Sequence, residues 1–229
     1  MKSFLIRLPN NKLSCEVAEL CIKQASVFGV KLNIFDGVDG YQAEEIFKRD
    51  NIKKYPKFLK HDTAGVKGCA ASHYLLWKMC SLQKEPFLIL EHDGFFIRKL
   101  PSNIENTFTD VLKLDSENPY ASDYSLKIEK YKKKEIKIIN YDLSWGYKKD
   151  KAPYGGYFRG AYSYIIKPMA SKKLINAVIK NGWVPADKQI GESLLKLQAT
   201  SSTIVRIHPG YNYQNINKLS LTRNLHWNK

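Results

Sequence analysis

The stretch FLILEHDGFF, Phe87 to Phe96, carries four apolar residues into Glu91, His92 and Asp93, then Gly94 and two aromatics. A short apolar run of this kind reads as a buried strand. Its end is unusual, because two carboxylates and an imidazole are delivered at the point where the strand meets solvent. In an open α/β sheet, ligands bind outside the carboxyl ends of the strands. An ordinary solvated strand terminus is the competing reading. The decision between them depends on what surrounds the stretch.

Upstream, SFLIRL (3–8) reads as a strand, and Ser14 as the cap of a helix carrying Val17, Leu20, Cys21 and Phe28. Gly29 stops that helix. VKLNIF (30–35) alternates like a strand, and DGVDG (36–40) reads as a turn. Strand, helix, strand implies a parallel α/β start. Residues 41–67 are mixed and lysine-rich. GCAASHYLLWKMC (68–80) predicts a helix with Ala70, His73, Tyr74 and Trp77 along one stripe.

Downstream, a polar, lysine-rich insertion is expected around 101–137, and KIINY (137–141) reads as a strand. Residues 141–164 are dense in aromatics and glycine; within them, 154–164 suits a loop stacking on a sugar or acceptor, or tyrosines filling a sheet edge. AYSYII (161–166) reads as a strand. Pro168 opens a helix with Ala170, Leu174, Ala177 and Val178 inward, ending near Gly182. A further helix is expected after Asp187, with Ile190, Leu194 and Leu197. TIVRI (203–207) then leads to His208. No internal repeat interrupts the 229 residues, so one domain is expected over 1–229.

Composition narrows the function classes. Hydrophobic residues make up 44% and aromatics 12%, which is a globular balance. No run approaches the ~18 apolar residues of a membrane span. The first residues hold too short an apolar run for a signal peptide, so a cytoplasmic location is expected, with the inner membrane surface as a peripheral alternative. The four cysteines, at 15, 21, 69 and 80, form no C-x-x-C pair. A structural zinc ribbon is therefore excluded, and all four are expected reduced in the core.

The 37 basic and 22 acidic residues leave a net charge of +15, which attracts phosphates, nucleic acid and anionic headgroups. Only six of the 37 are arginine, the better bidentate phosphate reader, so a lysine-rich coding bias explains the charge equally well.

Four pieces stand in a telling order: FDGVDG (35–40), GVKGCAASHYLLW (65–77), LILEHDGFF (88–96) and GAYSYIIKPMASKKLI (160–175). Together they resemble glycosyltransferase family 25, the lipooligosaccharide and collagen galactosyltransferase group. That family shows a Gly-Cys-x-x-Ser-His segment, then an apolar strand ending in Glu-Asp-Asp, and a later Asp. The resemblance spans residues 3 to 208. Here His92 replaces the family's middle Asp, and the arginine-rich start is reduced to Lys12.

The resemblance implies an α/β fold of the GT-A type, a Rossmann-like mixed sheet flanked by helices. It implies a metal-dependent, inverting transfer of a sugar from a nucleotide-diphosphate donor to a carbohydrate acceptor such as lipopolysaccharide. It also implies roles. Glu91, Ser72, His73 and Gly160 would bind the donor. Asp93, Glu91 and His208 would hold Mn²⁺ or Mg²⁺, hard ions that take carboxylate oxygens. Asp187 would be the base that takes the acceptor's proton.

Each role has a plainer counterpart. Alternation along an extended chain lets Glu91 and Asp93 face the same way and turns His92 aside. His73 also fits a buried structural histidine, and Asp187 fits a helix N-cap. Transfer of a sugar to modified nucleic-acid bases, suggested by the charge, and a catalytically silent nucleotide-sugar-binding protein, suggested by His92, are the alternatives.

Overall fold

The computed structural model describes residues 1–56, 63–115, 135–143 and 153–208. The chain opens with β1 (Lys2–Arg7), α1 (Lys12–Val27), β2 (Asn33–Asp36), α2 (Gly40–Arg49) and α3 (Ala64–Ser81). β3 (Phe87–Glu91), β4 (Gly94–Phe96), β5 (Val111–Lys113), β6 (Ile138–Asn140) and β7 (Ser163–Ile166) follow. α4 (Pro168–Asn181), the single-turn α5 (Ala186–Gln189), β8 (Leu197–Thr200) and β9 (Val205–Ile207) complete it.

Seven strands form one mixed sheet in the order β2-β1-β3-β7-β5-β8-β6. β1 pairs in parallel with β2 and β3, and β5 in parallel with β8. β7 runs antiparallel to both of its neighbours, so β3 and β5 point the same way. The carboxyl ends of β1, β2, β3, β5 and β8 therefore share one edge. β4 and β9 form a separate two-stranded ribbon at that edge.

The two-residue period of β3 sorts the core. Leu88 and Leu90 pack with Val17, Ala18, Cys21 and Ala25 of α1. Phe87 and Ile89 face the opposite layer, with Ala43 and Phe47 of α2, Ala70, Tyr74 and Trp77 of α3, and Leu174 and Val178 of α4. Phe87 through Leu90 are all essentially inaccessible. Burying each such side chain is worth about 1.5–3 kcal/mol, so the strand's position is strongly determined. The same parity sends Glu91 to the α3 face.

Local signals explain several departures from the sequence reading. The N-cap of α1 is Asn11, whose side chain accepts from the Ser14 backbone N–H. Ser14 instead lies buried in the first turn, and its Oγ accepts from Leu8 N–H. The mixed stretch after residue 40 contains α2, begun by a capping box in which Asp39 and Gln42 satisfy each other's backbone.

The expected insertion of 101–137 is corrected in part. Val111–Lys113 is a fully buried central strand. Residues 116–134, with most of the lysine run, lie outside the described residues.

The helix expected after Asp187 is also corrected. α5 ends at Gln189, and Leu197 begins β8. The chain is drawn instead onto the 154–157 segment. Glu192 N–H donates to Gly156 O, and Ser193 N–H to Tyr154 O. A side chain at Gly191 would strike Tyr154, whose Cβ lies 2.4 Å from the position of an added Cβ. Pro185 occupies the N-cap position, so Asp187 is not a helix cap.

The Pro168 helix ends at Gly182 as expected. Tyr154, Tyr157, Phe158, Tyr162 and Tyr164 are buried, Phe158 and Tyr164 in the α3 layer and Tyr162 in the α1 layer.

Candidate functional site

The turn at 36–40 and the first half of α3 are fitted to each other. A Cβ at Gly68 would sit 2.4 Å from Val38 O, so glycine is required for this approach. One turn later, the buried Ser72 Oγ accepts from Val38 N–H at 3.0 Å and donates to Gly68 O at 2.7 Å. Ser72 thus pins the loop after β2 against α3. Cys69 and His73 follow on the helix four residues apart, which places them on one face.

That face meets the end of β3. His73 is fully buried, its Nδ1 2.8 Å from Tyr164 Oη and its Nε2 3.3 Å from Glu91 Oε1. Trp77 Nε1–H donates to the same Tyr164 Oη at 2.9 Å. Indole is only a donor, so Tyr164 accepts from Trp77. The one arrangement that satisfies every group has Tyr164 donating to Nδ1. The His73 proton then sits on Nε2 and points at Glu91. Cys69 Sγ–H also donates toward Glu91 Oε1, at 3.7 Å. Cys69 is half-buried and faces the site, which corrects the expectation that all four cysteines are core residues.

Glu91 keeps 29% of its side chain exposed. Burial pushes its carboxyl up, but the hydrogen bond from His73 brings it below the ordinary carboxylate value.

β3 stops at Glu91, and His92 and Asp93 form a turn into β4. The extended-chain argument for Glu91 and Asp93 facing together therefore does not apply. Gly94 makes the turn tight: an added Cβ would lie 3.1 Å from Tyr162 O and 3.2 Å from Glu91 O. The Asp93 carboxyl is pushed up to about 6, first by burial and then by the nearby Glu91 charge, against the opposing influence of His92. His92 lies within electrostatic reach of both carboxylates.

Among the described residues, Asp93 Oδ1 is buried with no hydrogen-bond partner. An unpaired buried carboxylate oxygen is costly, and a cation is the natural group to satisfy it. Hard oxygen donors of this kind fit Mn²⁺ or Mg²⁺. Glu91 and Asp93 both offer oxygen donors of that kind.

The β4–β9 ribbon brings His208 to this corner. Its backbone N–H donates to Asp93 O at 2.8 Å, and its ring stands edge-on to Phe95 at 5.1 Å. Burial lowers its pKa. Among the described residues, the His, Cys, Asp and Glu side chains that converge within 4.8 Å are Cys69, His73 and Glu91; Asp93 and His208 are not in that group.

From the other side come Asp187 and Lys113. Asp187 is half-buried at the start of α5, its Oδ1 accepting from Lys188 N–H at 2.9 Å. Burial raises its pKa, and the Glu91 charge adds to the rise. Lys113 is a wholly buried lysine on the same sheet face, since Val111 also belongs to the α3 layer. Its Nζ donates to Gly160 O at 3.0 Å and lies 4.2 Å from the Tyr162 ring centroid. Burial lowers its pKa to about 8, against the pull of Asp115, Glu91 and Asp187. Gly160 takes φ +70°, a conformation that favours glycine, and so presents its carbonyl to Lys113.

The sequence reading missed Cys69, Tyr164 and Lys113 as site residues. Cys69 had a visible signal in its four-residue spacing from His73. Lys113 had a weaker one, a lone charge inside an apolar VLKL. Nothing local marked Tyr164.

Among the described residues, no helix is long and apolar enough to cross a membrane. No curated protein matches the chain. A family model described as glycosyltransferase family 25 (LPS biosynthesis protein) matches residues 2–190. That match takes in Ser72, His73, Glu91, Asp93, Gly160 and Asp187 and leaves His208 outside. It runs from β1 through α5, so the chain belongs to glycosyltransferase family 25 and is a glycosyltransferase.

Proposed function

We propose that the protein transfers a sugar, with inversion, from a nucleotide-diphosphate donor to a carbohydrate acceptor of the lipopolysaccharide type, with Mn²⁺ or Mg²⁺ bound. The observation that carries this reading is the buried, unpartnered Asp93 Oδ1 one turn beyond Glu91, at the carboxyl edge of the sheet.

Glu91 and Asp93 would hold the ion, with His208 close by on the β9 side. When bound, the ion would supply Lewis-acid stabilisation of the departing diphosphate. The chain's own residues do the rest. His73 holds Glu91 in one orientation through its Nε2 proton. Ser72 fixes the loop after β2 beside the strand ends, the edge where α/β sheets take nucleotides. Lys113 keeps positive charge beneath the acidic cluster and fixes the Gly160 carbonyl.

Asp187 takes the proton of the acceptor hydroxyl. Its raised pKa makes it a better base than an exposed carboxylate, and its Oδ1 is steadied by Lys188 N–H. In-line attack by the activated hydroxyl inverts the sugar carbon.

The test is a panel of nucleotide-diphosphate sugars with Mn²⁺, read as nucleotide release with and without saccharide acceptors. Acceptor-dependent release with one donor supports the reading. Acceptor-dependent transfer that is undiminished in chelator overturns its metal dependence.

A further inference from the structure

We propose that Cys69, His73 and Glu91 form a second cation site, suited to a zinc-type ion, whose occupation withdraws Glu91 from sugar transfer. The competition, though not the binding, rests on the role given to Glu91 above.

The ligand set comes from two rigid elements. α3 supplies Cys69 and His73 from successive turns of one face. β3 supplies Glu91, aimed at that face by the parity of Phe87 and Ile89. The three ligand atoms lie within 4.8 Å of one another.

Two of the three spacings match a coordination shell, and the third, from Cys69 Sγ to the His73 ring nitrogen, lies within 4.8 Å. A tetrahedral zinc ion, with ordinary bond lengths, separates a nitrogen and an oxygen ligand by ~3.4 Å and a sulfur and an oxygen ligand by ~3.6 Å. Here Nε2 and Oε1 are 3.3 Å apart, and Sγ and Oε1 3.7 Å.

Three protein ligands leave a fourth corner for water. Glu91, 29% exposed, gives the route from solvent. A ligating histidine is normally oriented through its other ring nitrogen, and Tyr164 with Trp77 already does this for His73.

Sulfur and imidazole select zinc over the hard ions that Asp93 and Glu91 oxygens favour. Binding displaces the Cys69 thiol proton to solvent and forms the metal–thiolate bond. The imidazole proton exchanges from Nε2 to Nδ1, and Tyr164 Oη turns from donor to acceptor toward that nitrogen, giving up its own donation there. One proton is released per ion, and no electron is transferred.

Co²⁺ alone, titrated into the reduced full-length protein, is the probe. A thiolate-to-cobalt charge-transfer band with intense four-coordinate visible bands is expected, reversed by Zn²⁺ and absent from Cys69→Ser. A cobalt complex without the thiolate band, or a band that survives in Cys69→Ser, overturns the site. Circular dichroism and melting confirm that the variant is folded. Glu91→Gln is the second variant: it should retain the thiolate band at reduced cobalt affinity, and unchanged affinity overturns the ligand set.

For the competition, transfer rates with Zn²⁺ are divided by each protein's own zinc-free rate. Inhibition of the parent that is relieved in Cys69→Ser supports it. Equal inhibition of both overturns it. The spectroscopic arms need neither donor nor acceptor, so their failure is distinguishable from failure of the transferase reading.

Discussion

His73 Nε2 stands 3.3 Å from Glu91 Oε1 while its other nitrogen is held 2.8 Å from Tyr164 Oη. The imidazole therefore connects the buried core to a partly exposed carboxylate at the end of β3. His73, read from sequence as either a structural or a pocket histidine, is fully buried and bonded at both ring nitrogens. Its burial makes it structural, and its proton orients a site residue.

Removing the Tyr164 hydroxyl tests that connection. Tyr164→Phe leaves Trp77 Nε1–H and His73 Nδ1 unpaired in a fully buried position. Each unpaired group costs about 1–3 kcal/mol. A clearly lowered melting temperature is expected, together with a change in the His73 ring nitrogen shifts in NMR. Melting equal to the parent would show that the network contributes nothing.

Lys113 gives a pH-dependent stability. Its proton is held with a pKa of about 8 in the fold, below the ordinary lysine value of about 10.4. Between those values the unfolded chain binds more protons, so this group makes the fold more stable as pH rises. Below the folded value both states are charged, and the burial penalty stands in full. The melting temperature of Lys113→Met minus that of the parent should therefore fall from about pH 7 to about pH 10. A difference that is flat across this range would mean that the lysine is not perturbed.

Much of the fold was legible because it is local. The four apolar residues before Glu91, the glycine and proline punctuation at Gly29, Pro168 and Gly182, and the stripe of α3 each act through near neighbours. The failures came where tertiary contacts decided. Residues 190–197 have a helical pattern, yet Tyr154 and Gly156 take up their backbone and Leu197 enters the sheet. Val111–Lys113 hid inside a polar region because only three of its residues are in the sheet.

The site was half legible for the same reason. Glu91 and His73 are marked by spacing within single elements. Tyr164 and Lys113 reach the site only through the pairing of β7 with β3 and β5.

The turn at 92–93 makes His92 informative. It lies near both carboxylates without belonging to β3. His92→Asp restores the family's acidic run and should retain or raise transfer, with Mn²⁺ affinity no weaker than the parent's. Loss of Mn²⁺ affinity in a folded variant would make His92 a ligand.

Asp187 separates proton transfer from structure. It is not the cap of α5, so Asp187→Asn should melt close to the parent and bind donor normally. Loss of a general base lowers turnover by about 10²–10⁴-fold. In the parent, the raised Asp187 pKa moves the acidic limb of the turnover profile upward, because the base must be ionised to act. The variant should lose that limb. Near-parental transfer would remove Asp187 from catalysis.

Asp93 and Glu91 are proposed to hold a divalent ion for the sugar donor. The most direct test is calorimetric titration of a donor nucleotide diphosphate into the parent and into Asp93→Asn, with and without Mn²⁺. Mn²⁺-dependent binding by the parent is expected, with a folded Asp93→Asn that has lost this dependence. Donor binding that is as tight in chelator as in Mn²⁺, or an Asp93→Asn variant that responds to Mn²⁺ like the parent, would contradict it.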